Sequence, residues 1–203
     1  SNVLFDKTGQ VTKILTQTKA THGEYLRLNI LKEFCQLLEK YYRSKKFMEK
    51  GKSLDSYKQL LDSMVHWAKI VIYQEGQYPK QDIWDQVCHI NLGVYKLYEE
   101  LLFNREPLTK RIELMQLVYL NNVISKIEDY CRPLLEFFHS QDCPLSCRSI
   151  KSHPKFKKLN VDFHIVLDEL VRQGLLFEDT VLLKGLSNNN LQVKEIRYGI
   201  VKK

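Results

Sequence analysis

Long hydrophobic runs are missing from this sequence. The apolar run Ile70-Val71-Ile72-Tyr73 falls far short of the roughly 18–20 residues that a membrane helix needs, so no helical span and no membrane partner are expected. No basic segment followed by an apolar one opens the chain, and no secretory signal is expected. Cysteine is scarce and odd in number: Cys35, Cys88, Cys131, Cys143 and Cys147 cannot all pair, and two of them sit in apolar, helical-looking stretches. That usage speaks against a disulfide framework and for reduced thiols in an intracellular protein, nuclear or cytoplasmic, with the nucleus preferred. Internal repeats and low-complexity segments are absent. A complete phosphate-binding loop is absent too: Gly51-Lys52-Ser53 has its tail, but Lys46 stands where the first glycine belongs and the flanks read as helix.

What is present is a globular composition, 44% hydrophobic and 27% charged, in 203 residues. The net charge of +7 is unevenly placed. Residues 144–203 carry 11 Lys and Arg against 6 Asp and Glu, whereas residues 1–143 carry 20 against 18. A local basic excess attracts polyanions.

Periodicity predicts a mainly α protein in three parts. Residues 1–20 form a loose arm or a short helix. Residues 21–132 form a helical bundle, beginning at the capping box Thr21-His22-Gly23-Glu24. Leu26, Ile30, Leu31, Phe34, Leu37, Leu38 and Tyr41 share one face of a first helix that stops near Gly51. Ser53 caps a second helix, which ends at Gly76. A third runs from Asp82 to about Leu102, and a fourth from Thr109 to Tyr130. Pro133 ends or kinks that last helix, placing a boundary near residues 130–133.

Residues 133–203 change pattern. Short helices around Leu134–Phe138 and up to Ile150 precede a polar turn, His153–Lys158. Asn160 caps a third short helix bearing Phe163, Leu167 and Leu170. A β-hairpin follows, whose second strand, Leu191–Ile200, alternates with period two. Three helices followed by a hairpin, with Leu-Val-Arg-Gln-Gly-Leu-Leu at 170–176, resembles the winged helix-turn-helix superfamily. That resemblance implies a C-terminal winged-helix domain. The boundary near Pro133 predicts that residues 133–203 form a compact unit with its own apolar core of Phe138, Ile150, Phe163, Leu167, Leu170, Val193 and Ile196. The first 130 residues resemble no family.

In the DNA readers of that superfamily the third helix enters the major groove. Here its outward positions are read as Asp162, Ile165, Asp168, Glu169, Arg172 and Gln173, whose carboxylates oppose phosphates. Cations surround it instead: Arg148, Lys151, Lys155, Lys157, Lys158, Lys184, Lys194 and Arg197. Such a ring suits weak, non-specific contact with a nucleic-acid backbone. The function expected is therefore a non-enzymatic adaptor that docks a protein partner within a larger complex, with possible weak nucleic-acid contact. The alternative is a DNA- or RNA-binding factor.

No catalytic site, metal or cofactor is expected. Asp62/His66 and Asp85/His89 are acid–imidazole pairs at helical spacing, which ordinarily stabilise a helix surface. Cys131, His139, Cys143, Cys147 and His153 are zinc-ligand types in a spacing that matches no closed finger. Lys40, Arg43, Lys45, Lys46, Lys50 and Lys52 beside Tyr41, Tyr42 and Phe47 read as a solvated helix end rather than a base-stacking surface.

Overall fold

A computed structural model describes the backbone of residues 10–184 and 192–201, and the side chains of 21–182 and 194–201. The expected hairpin turn at residues 185–190 lies outside the described residues. The protein is mainly helical, with a small three-stranded antiparallel sheet.

The first helix, α1 (Gln10–Glu49), is longer than expected and runs straight through the capping box at Thr21–Glu24. Residues 10–20 contain neither Pro nor Gly, so nothing stops the helix from extending N-terminally past Thr21. Forty residues make a rod of roughly 60 Å, the spine of the fold. Gly51 takes φ +68°, closing the turn into α2 (Ser53–Gln74), which packs back along α1. At that turn Ser44 and Ser56 share a buried hydroxyl contact of 2.9 Å, and Gln116 donates to Ser44 Oγ at 3.1 Å.

The expected third helix is two helices, α3 (Ile83–Ile90) and α4 (Leu92–Phe103). Asn91 breaks it by leaving helical geometry, while its side chain accepts the Val94 amide at 3.1 Å and caps α4. The fourth helix is likewise divided into α5 (Leu108–Asn122), a 3-10 turn at Ile124–Lys126, and α6 (Ile127–Tyr130). The apolar stripe expected of that helix, Ile112, Met115, Tyr119, Val123, Ile127 and Tyr130, still points inward, because all six are buried. Pro133 sits in the first turn of α7 (Arg132–His139), where a missing amide proton leaves no bond unmade.

Beyond α7 come β1 (Leu145–Ser146), α8 (Cys147–Ser152), α9 (Pro154–Lys157), α10 (His164–Arg172), β2 (Leu176–Lys184) and β3 (Gln192–Ile200). The strand order is β1-β3-β2, so the hairpin gains a third strand from the segment just before α8. Leu145 faces Tyr198, and Phe177 faces Gly199. The expected polar turn at His153–Lys158 contains a helical turn whose Phe156 is fully buried between Phe137 and Phe163. Asn160 does not cap α10. It adopts φ +49°, and Asp162 Oδ1 instead accepts the His164 amide at 3.1 Å.

One apolar core runs from Leu31 to Tyr198 and is continuous across residues 130–133. Phe34 of α1 meets Tyr130 at 5.1 Å between ring centroids, and α1 also packs on α7 and α10. Of the expected C-terminal core, Phe138, Ile150, Phe163, Leu167 and Leu170 are buried. Ile196 is 46% exposed, because β1 covers β3 only at Arg197 and Tyr198 and the hairpin extends past it. The Val193 side chain lies outside the described residues.

Candidate functional site

The helical body carries a cleft of about 430 Å³ where α2, the α3–α4 junction, the end of α5 and the 3-10 turn meet. Its floor is apolar, built from the buried Trp67, Val71 and Val94. Its rim is polar: Gln74, Asn91, Asn122 and Lys126 are all exposed, and no carboxylate lines it. The helix endings make this site. The break at Asn91 brings Gly93, which has no side chain, to the wall, and the end of α5 delivers Asn122. Asn122 Nδ2 donates to Val118 O at 3.0 Å, which leaves its amide oxygen as an acceptor at the rim. Trp67 rests on Tyr119 at 5.3 Å, holding the floor in place. The arrangement offers an aromatic base, amide donors and acceptors, and one cation, the usual composition of a small-molecule site.

Sequence reasoning missed this cleft. Asn91 and Asn122 sit at helix ends, where asparagine ordinarily serves as a cap. Only the meeting of four elements distinguishes a cap from a lining residue.

A second polar cluster lies between α1 and α2. Glu33, buried, bonds His66 Nδ1 at 2.6 Å and lies 3.5 Å from Lys69 Nζ. Burial alone would raise the Glu33 pKa, but the His66 hydrogen bond and the Lys69 charge outweigh it and hold the carboxyl below its usual range. His66 therefore does not pair with Asp62, which takes Lys58 at 3.0 Å. His89 Nδ1 contacts the Asp85 carbonyl at 2.8 Å on the helix surface.

The third cluster ties α1 to α10. Tyr42 donates a hydrogen bond to Glu169 Oε2, and Arg172 Nη1 reaches both the Tyr42 oxygen and Glu169 Oε2 at 2.7 Å. Gln173 Nε2 donates to Glu169 Oε1 at 3.0 Å. This overturns part of the outward face assigned to α10. Glu169 is buried, and Ile165 packs against the core rather than facing solvent. Asp162 and Asp168 are exposed, with Asp168 accepting the Tyr198 hydroxyl at 3.2 Å.

The expected cations are dispersed. Arg148 and Lys151 on α8 share a depression of about 290 Å³ with Asp162 and His164. Lys155 lies on α9, 4.0 Å from Glu24 and above the Phe156 ring; Lys157 and Lys158 follow it. Arg197 is engaged by Glu195 at 2.8 Å, and Lys194 is exposed further along β3. The Lys184 side chain lies outside the described residues. In the basic run at the end of α1, Arg43 pairs with Glu39 at 2.7 Å and Lys45 lies over Tyr41.

The five zinc-type residues are not assembled. Cys131 is buried in the core, His139 Nδ1 contacts the Leu135 carbonyl at 2.8 Å, and His153 Nδ1 accepts the Lys155 amide at 3.3 Å. Cys143 is exposed. Cys147 alone of them joins a group with ligand geometry, beside Asp162 and His164.

Comparison with known proteins finds relatives for the whole body. A family model described as the YgxA-like substrate binding domain matches residues 27–126. The uncharacterized protein YgxA of Bacillus subtilis (strain 168) is 30% identical over 183 residues, covering 90% of this chain. This chain spans 62% of that relative's length. A crystal structure of a nucleotidyltransferase-like protein from Exiguobacterium sibiricum 255-15 superposes with a TM-score of 0.78 at 24% identity, over 99% of this chain and 68% of that one. These findings correct the sequence reading. The family match falls on the first 130 residues, where no resemblance was expected, and not on residues 133–203. The comparisons do not find the winged-helix resemblance expected for residues 133–203. The comparisons give no support to the preference for the nucleus either. Among the described residues no helix is long and apolar enough to cross a membrane.

Proposed function

We propose that this chain is a substrate-binding module whose helical body seats a nucleotide in the cleft over Trp67. One observation carries the reading: of the ten residues that line the cleft, all but Tyr130 lie within the segment that matches the substrate-binding family model. The chemistry of the lining selects the ligand class. An aromatic floor suits a flat heterocycle, amides suit its polar edges, and Lys126, the one cation in a lining that holds no carboxylate, suits phosphate, with Glu128 and Asp129 lying on its other side. The nucleotidyltransferase-like name of the structural relative agrees with that class. In this reading the chain positions a substrate, and bond-making groups belong to another part of the machinery.

The test uses the protein's own reporter. Trp67 and Trp84 are the two tryptophans, and Trp84 stacks on Tyr98 away from the cleft lining. In the Trp84→Phe protein, ATP, GTP, CTP or UTP with magnesium should change Trp67 emission saturably. Adding Lys126→Ala should weaken binding by about tenfold or more, the worth of one charge-assisted hydrogen bond. No saturable change with any of the four at millimolar concentration would refute the reading.

A second reading keeps the module but changes the partner. Leu114, Leu117 and Leu120 of α5 are 49%, 56% and 49% exposed, an apolar strip suited to a protein surface. It supports the adaptor function. Leu117→Glu should abolish a nuclease-resistant association recovered from native extract without lowering thermal stability.

A further inference from the structure

We propose that Cys147, Asp162 and His164 form a binding site for a single zinc ion. Their ligand atoms (the Cys147 sulfur, an Asp162 oxygen and an His164 ring nitrogen) all lie within 4.8 Å of one another. Bonds of about 2.0–2.3 Å from a central ion to three such donors need only small side-chain adjustments from that spacing.

The fold builds the group from two separate segments. Cys147 begins α8, and Ser146 just before it caps that helix by accepting the Ser149 amide at 3.2 Å. The other two ligands come from the chain that leads into α10. Asn160 turns that segment with φ +49°, a conformation with a steric cost for a residue bearing a Cβ. From there exposure alternates. Val161 and Phe163 are buried, which leaves Asp162 and His164 on the solvent side facing Cys147. The Asp162 carboxylate is further fixed by accepting the His164 amide at 3.1 Å. Two apolar anchors and one backbone bond thus hold two ligands two residues apart, against a third from a different element.

The donor set selects the metal. Thiolate and imidazole suit zinc and disfavour magnesium and calcium, which take oxygen ligands. Thiolate and carboxylate together neutralise the dication. Three protein ligands leave the fourth tetrahedral position open, as in zinc sites that bind an exogenous ligand. That position opens on the depression lined by Arg148 and Lys151, whose charges suit an anion there and set a ceiling on the affinity for the cation. Sequence spacing did not find this group, because it paired Cys147 with cysteines and histidines nearby in the chain. Asp162 and His164 lie fifteen and seventeen residues on.

The test is a titration of the full chain, fully reduced, with zinc and then with cobalt(II) as a spectroscopic substitute. One equivalent of zinc should bind. Cobalt should give the near-ultraviolet thiolate-to-metal band and the intense visible bands of a tetrahedral centre. Cys147→Ser should abolish the thiolate band. Asp162→Asn, which retains an oxygen for the His164 amide, and His164→Gln, at an exposed position, should each weaken zinc by at least about tenfold. Cys143→Ser, the exposed thiol nearby, should change nothing. Far-ultraviolet circular dichroism checks that each variant is folded. A thiolate band that survives Cys147→Ser, or is lost with Cys143→Ser, overturns the proposal. So does wild-type protein that takes up less than half an equivalent of zinc at micromolar concentration.

Discussion

Replacing Tyr42 by Phe removes one hydroxyl and should destabilise the protein by about 1.5–3 kcal/mol, the range for a hydrogen bond to a charged group. The structure gives the reason. Glu169, with its side chain 6% exposed, is a carboxylate taken almost wholly out of water. Its charge is held by three donors: the Tyr42 hydroxyl, Arg172 Nη1 at 2.7 Å and Gln173 Nε2 at 3.0 Å. Two of them are neighbours on or beside α10, but Tyr42 reaches it from α1, 127 residues away in the chain. Tyr42→Phe keeps the ring, and with it the stacking of Arg172 at 5.1 Å, so the loss isolates the hydroxyl. For a chain of this length each kcal/mol moves Tm by roughly 2–4 °C, which gives an expected drop of roughly 3–12 °C. Glu169→Gln should be destabilising too. The double variant should be less destabilised than the sum, with a coupling of about 0.5–3 kcal/mol. The assay is urea unfolding followed both by far-ultraviolet circular dichroism and by fluorescence of Trp67 and Trp84, which both lie in the helical body. A loss within about 0.5 kcal/mol for Tyr42→Phe, or strict additivity in the cycle, would refute the reasoning. The two signals also bear on organisation. If residues 133–203 fold as a unit, loosening this tie should separate the transitions, and if the continuous core governs, they should stay coincident.

Against the opposing effect of burial, the His66 hydrogen bond and the Lys69 charge hold the Glu33 carboxyl below its ordinary value, so its bond with His66 stabilises the fold above the unfolded carboxylate pKa of about 4.3 and loses that effect as pH falls through the lower folded value. The Tm deficit of Glu33→Gln should therefore be full at neutral pH and vanish on strong acidification. Burial, and for Tyr42 the Glu169 carboxylate, push the Tyr42 and Tyr130 phenols up to about 12, so stability should fall as pH rises from about 10 towards 12. Tyr130→Phe should reduce that alkaline loss in pH-jump unfolding. A Cβ on Gly199 would lie 2.4 Å from Phe177 Cζ, the far end of an exposed ring that can turn aside, so Gly199→Ala should cost no more than about 1 kcal/mol in urea unfolding, most of it relieved in Phe177→Ala. Any nucleic-acid binding should be weak and lost on reversing Lys155, Lys157 and Lys158 to Glu, with the salt slope falling by about one per lost phosphate contact in a two-salt titration.

Much of the helical architecture was legible because burial imposes a period. Phe34, Leu37, Leu38 and Tyr41 on α1, and Leu60, Met64, Ala68 and Val71 on α2, recur every three or four residues and are all buried. The interruptions were less legible. A capping box at Thr21 acts as a start only where the preceding residues resist the helix, and residues 10–20 do not. Asn91 lies within an unbroken apolar rhythm. Only its own side chain, bonded to Val94, turns that rhythm into two helices. Phe156 sits among three lysines and a proline in His153–Lys158, a composition that reads as a polar turn, whereas Phe137 and Phe163 enclose it.

The polar residues resisted reading for a single physical reason. A hydrophobic side chain needs only to be away from water, and periodicity along one element suffices to predict that. A polar side chain takes its role from its partner, and here the partners are distant in sequence. Glu169 was assigned outward as a carboxylate on a short amphipathic helix, the assignment that desolvation favours for any unpartnered charge. Tyr42 and Arg172 reverse that balance, and only Arg172 is near enough in the chain to suggest itself. The same holds for His66, which local spacing pairs with Asp62 and the fold pairs with Glu33, and for Cys147, whose neighbours in space are Asp162 and His164. The cleft over Trp67 extends the pattern, since its amides and its lysine come from three separate helical elements and a junction. Each of these groups depends on α1 and α2 setting the frame against which the later, shorter helices dock. The chemistry of this chain is therefore written in its long-range contacts, and substitutions at Tyr42, Glu33 or Asn91 should disturb it more than changes to the conspicuous lysine runs.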